Sequence, residues 1–86
     1  MRLITPIEKQ EMHDMLDKCI DKMSNDKNCL KPHWRQLSLK ELQIMINTEC
    51  SELHLAIYQG NKQDIISEFK DIINLGIFGM HNLFKG

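Results

Sequence analysis

No charge of one sign dominates this sequence, and no long apolar run crosses it. Eleven Lys and Arg stand against twelve Asp and Glu, for a net charge of −1. That balance gives no electrostatic case for a nucleic-acid polymer or an anionic membrane as partner. No uninterrupted apolar stretch approaches the roughly 20 residues that a membrane span requires. The opening Met1-Arg2-Leu3-Ile4-Thr5-Pro6 lacks an apolar signal core. Cysteine is scarce: three residues at irregular spacing fit reduced thiols and a cytoplasmic setting rather than a disulfide scaffold. There is no internal repeat, no low-complexity segment and no GxxxxGK[ST] phosphate loop. What is present is 42% hydrophobic and 27% charged, the balance of a globular chain. Eighty-six residues make one domain, residues 1–86, whose own core is small enough that association is expected.

The helices announce themselves by their caps. Thr5-Pro6-Ile7-Glu8 offers an N-cap Thr, a first-turn Pro and a Glu closing a capping box. Met12, Met15, Leu16, Cys19, Ile20 and Met23 then form one stripe, so a first helix is predicted to about Met23. The acids and lysines opposite that stripe are expected to be solvated. Ser24 to Gln36 reads as a loop, broken by Asn25, Asp26, Asn28 and Pro32. Ser38-Leu39-Lys40-Glu41 is a second capping box, opening a helix that should end at Tyr58 or Gln59, before Gly60. Asn61-Lys62-Gln63-Asp64 caps a third. A turn as short as Gly60-Asn61 makes helices two and three antiparallel neighbours. Beyond Asp71 the third helix is apolar on nearly every side, from Ile72 to Phe84. Three helices cannot cover such an element, so a partner subunit is expected there. Gly76 and Gly79 would let another helix come close. The fold class is therefore all-α: an antiparallel bundle of three main helices, completed by oligomerisation.

Two acid pairs interrupt the apolar pattern, Glu49-Cys50-Ser51-Glu52 and Glu68-Phe69-Lys70-Asp71. Residues three apart share a helix face. At about 100° per residue, Glu49 falls amid Leu42, Met45, Ile46, Leu53 and Ala56, with Glu52 at the stripe's edge. Glu68 likewise falls amid Ile65, Ile72, Leu75, Gly79 and Leu83, with Asp71 flanking. Acids facing a core are costly unless they are paired or hold a cation. Four carboxylates converging between two helices predict a hard-cation site, for magnesium or manganese. Elsewhere, Trp34 lies among Lys31, His33 and Arg35, which suits either stacking on a base or plugging the end of the bundle. Lys31, Arg35, Lys62 and Lys70 are candidate phosphate contacts, and Asn74, one turn beyond Asp71, could hydrogen-bond a sugar or water. His54 reads as a surface residue. Cys29 with His33 lacks the second half of a metal site.

The two acid pairs on helices joined by a tight turn resemble the MazG-type all-α nucleoside triphosphate pyrophosphohydrolases. The likeness extends through Thr48-Glu49-Cys50-Ser51-Glu52-Leu53, Ala56-Ile57 and Glu68-Phe69-Lys70-Asp71-Ile72-Ile73-Asn74, about half of the chain. It implies hydrolysis of an NTP or dNTP to the monophosphate and pyrophosphate, with Mg2+ held by Glu49, Glu52, Glu68 and Asp71, in a homodimer or homotetramer. The family often carries a further Glu where this chain has Thr48.

Three other readings compete, the plainest being that the four acids merely line a solvated groove. A di-iron bundle needs Glu-x-x-His pairs, and the residues three beyond Glu49, Glu52 and Glu68 are Glu52, Leu55 and Asp71. A non-catalytic helical interaction or regulatory module retaining the same fold is the stronger alternative.

Overall fold

Helix caps set the architecture. The computed structural model describes residues 3–25 and 34–85, which form three α-helices and one short 3-10 turn, with no strand among them. Helix α1 spans Pro6–Asn25. At its start Thr5 and Glu8 exchange two hydrogen bonds, backbone N–H to side-chain oxygen in each direction, at 3.1 and 3.2 Å. Helix α2 spans Leu39–Gln59, opened by the Ser38–Glu41 capping box and closed by Gly60 at φ 72°. A left-handed residue is cheap only for glycine, and the Gly60 N–H donates back to Ala56 and Ile57. Helix α3 spans Lys62–Lys85. The Asn61 side chain accepts from the N–H groups of Gln63 and Asp64, a cap worth about 1 kcal/mol.

Helix α3 is the axis of the molecule, with α2 packed along one side of it and α1 against another. The core is small: Leu42, Leu75 and Phe78 are buried together, with Trp34, Leu37 and Ile46 packed around them. Leu42, only 2% exposed, contributes about 1.5–3 kcal/mol by its burial. The 3-10 turn Trp34–Gln36 closes this end. Asn82 pins the turn by donating to the carbonyls of Trp34 and Leu37.

Helix α1 departs from expectation in two ways. It runs to Asn25, past Met23. Its apolar stripe is also only partly used: Cys19 is buried and Leu16 half-buried, while Met12, Met15 and Ile20 are exposed. The reason is that α1 lies on α3 alone, and a single helix contact covers a strip narrower than the stripe. No helix among the described residues is long and apolar enough to cross a membrane.

Candidate metal centre

The Gly60 turn sets the register of the site. Glu49 and Asp71 each lie eleven positions from Gly60 in the chain, so antiparallel packing of α2 on α3 brings the two acid pairs to one level. Glu49, Glu68 and Asp71 each offer a carboxylate oxygen, and the three oxygens lie within 4.8 Å of one another. All three side chains are half-buried. One oxygen each of Glu49 and Glu68 (Oε2) is shielded from solvent and meets no hydrogen-bond partner. Burial and this company push Glu49 up to about 8. Desolvation is the largest cause, followed by a hydrogen bond with Glu68 and the charges of Glu52 and Asp71. Glu52 stands beside the trio, exposed, acting on Glu49 by charge and hydrogen bond.

Among the described residues, Asp71 is the one acid of the three with a basic partner. Lys22, near the end of α1, reaches its carboxylate at 2.5 Å. The same ammonium donates to Ser67 Oγ at 2.8 Å and to the Ser67 carbonyl at 3.3 Å. This corrects the expectation that the lysines of α1 are merely solvated. The signal was faint but present: Lys22 follows Cys19 by three residues, about 60° from it around the helix. A long side chain at that edge can carry its charge across an apolar border.

The remaining candidates are placed as follows. Asn74 is buried and donates from Nδ2 to the Cys19 carbonyl at 3.0 Å, tying α3 to α1. Trp34 stacks on Phe78 with centroids 4.5 Å apart, meets His81 edge-on at 4.9 Å, and carries the Arg35 guanidinium over its ring at 5.2 Å. These contacts pack the indole against the core. Phe78 lies seven residues from Asp71, so the aromatic cluster sits about 10 Å along α3 from the acids. Thr48 is exposed and donates to the Ile44 carbonyl of its own helix. Lys62 is exposed and Lys70 half-buried. Lys31, together with Cys29 and His33, lies outside the described residues.

No family model, curated protein or solved structure matches this chain.

The donor set suits a hard divalent cation. Three converging carboxylates on two well-packed helices present oxygen ligands only, and two of their oxygens have no other partner. Without a cation, a shared proton on Glu49 and the Lys22 ammonium are what offset the repulsion.

Proposed function

We propose that the protein hydrolyses a nucleoside or deoxynucleoside triphosphate to the monophosphate and pyrophosphate, using magnesium or manganese held by Glu49, Glu68 and Asp71, with Glu52 at the rim. The observation that carries this reading is the shielded Oε2 of Glu49 on α2 and of Glu68 on α3, met by no donor, in a cluster that Asp71 completes. A protein that hides carboxylate oxygens without donors gains from a ligand that supplies positive charge. The cation would provide Lewis-acid polarisation of a phosphoryl oxygen and cancel the field that repels a polyphosphate. Glu52, the acid least enclosed, orients the attacking water and takes its proton. Attack at phosphorus breaks one anhydride bond and releases pyrophosphate. Lys22, which holds Asp71 at the edge of the cluster, is a cation that could meet a phosphate oxygen there. The chain would work as a homodimer or homotetramer in the cytoplasm.

The second reading is a non-catalytic helical module, favoured by the Lys22–Asp71 pair, which already neutralises one acid. A panel of NTPs and dNTPs incubated with the protein in magnesium separates the two. Pyrophosphate and monophosphate in equal amounts, abolished by EDTA, are expected; no turnover of any nucleotide would leave the module.

A further inference from the structure

Two polar contacts define the register of α1 on α3. Asn74 Nδ2 donates to the Cys19 carbonyl at 3.0 Å. The Lys22 ammonium reaches Asp71 Oδ1 at 2.5 Å and Ser67 Oγ at 2.8 Å. From the first contact to the second, the chain advances three residues on α1 and steps back three on α3, as a single antiparallel register requires. Ser67, Asp71 and Asn74 are spaced four and three residues apart, so they form one row on the face of α3 that meets α1. Apolar packing leaves that register open. On the α1 stripe Cys19 is buried and Leu16 half-buried, while Met12, Met15 and Ile20 are exposed. Burial of apolar surface is also without direction.

Asn74 is the unusual member of the row. It is 4% exposed, against Cys19 at 3%, and its Oδ1 meets no donor among the described residues. A buried acceptor left unmet is destabilising, and a leucine at the same place would bury only carbon. What the amide adds is direction. One buried Asn in an apolar seam fixes the register of a coiled coil in the same way.

We propose that Asn74 is a positioning residue for the acidic cluster. By fixing the Cys19 carbonyl it holds Lys22, one turn further along α1, on Asp71. It thereby sets how readily that carboxylate accepts a divalent cation. Lys22 and the cation draw on the same carboxylate and repel each other, so the more firmly Lys22 is held, the weaker the cation binds. Control of Lys22 by Asn74 is a property of the metal-free fold. The effect on the cation rests on the reading of Asp71 as a metal ligand given above.

A double-mutant cycle of Asn74→Leu and Lys22→Met tests it, read first by urea unfolding in EDTA and then by calorimetric titration with magnesium. Leucine keeps the core filled, and Asn74→Ala, run through the same cycle, guards against a leucine that does not fit. In EDTA, Lys22→Met should lower the folding constant of the wild type and have little effect once Asn74 is gone, a coupling of about fivefold or more. Additive losses overturn the control of Lys22 by Asn74. In magnesium, the dissociation constant of the folded protein is read, which a merely structural role for Asn74 leaves unmoved. Asn74→Leu should tighten magnesium by about fivefold or more, and should change nothing in the Lys22→Met background. An affinity indifferent to Asn74→Leu, or weakened equally with and without Lys22, overturns the link to the cation. A wild type that takes up no magnesium overturns the metal reading itself, while the cycle in EDTA still decides whether Asn74 positions Lys22.

Discussion

Lys22 and Asp71 join the first helix to the third at the edge of the acidic cluster, ammonium to carboxylate at 2.5 Å. The pair does two things at once. It docks α1 on α3, and it removes one negative charge from a cluster that otherwise repels itself. Replacing Lys22 by Met keeps the aliphatic stem and discards the charge. Without metal, Lys22→Met should cost about 1–3 kcal/mol, because Asp71 is left half-buried beside Glu49 and Glu68. Magnesium should restore most of that loss, since the ion replaces the missing charge. Melting curves in EDTA and in magnesium check both halves; equal stability of variant and wild type in EDTA would show that the pair contributes nothing.

Acid pH should favour the metal-free fold. Glu49 rises from an ordinary 4.5 to about 8 in the folded protein, so the folded form binds its proton more tightly than the unfolded form does. The resulting stabilisation is complete below about 4.5 and is lost as pH climbs through 8. Urea titrations in EDTA from pH 5 to pH 9 should show stability falling, and Glu49→Gln should flatten that slope. Metal uptake must expel the same proton. Magnesium should therefore bind more tightly as pH rises towards 8, and calorimetric heats should vary with the ionisation enthalpy of the buffer. Heats independent of the buffer would remove Glu49 from the ligand set.

Trp34 should report on folding rather than on nucleotide. Its indole lies against Phe78 and His81 at the end of the core. Trp34→Ala should cost about 3 kcal/mol, while wild-type fluorescence stays nearly constant when nucleotide and metal are added. A large nucleotide-dependent change, or a variant that melts like wild type but binds nucleotide poorly, would return Trp34 to a base-stacking role.

Local rules made much of this fold legible. Thr5 with Glu8, Ser38 with Glu41, Gly60 and Asn61 each act within four residues of themselves, and each does what its residue type dictates. The approach of Glu49 to Glu68 and Asp71 followed from one short turn and the helical period, both local. The interactions that stayed hidden join distant parts of the chain. Lys22 reaches Asp71 across 49 positions and Asn74 reaches Cys19 across 55, and no periodicity encodes which helix α1 chooses. Trp34 was evenly divided for the same reason: its stacking partner, Phe78, lies on another element. Glu52, on the same helix face as Glu49, acts on it by charge and hydrogen bond from beside the three grouped oxygens.

The most direct test of the metal centre is a set of melting curves for wild type, Glu49→Gln and Glu68→Gln, each in EDTA and in excess magnesium. Glu49 and Glu68 have oxygens that no donor meets, so either amide should leave the metal-free protein at least as stable as wild type. Magnesium binds only the folded form. At a hundredfold excess over its dissociation constant it should add ~2.7 kcal/mol to the wild type, a rise of roughly 10–20 °C for a domain of this size. In both variants most of that rise should vanish. Variants that melt well below wild type in EDTA, with magnesium shifting none of the three, would contradict the metal site and the hydrolysis that depends on it.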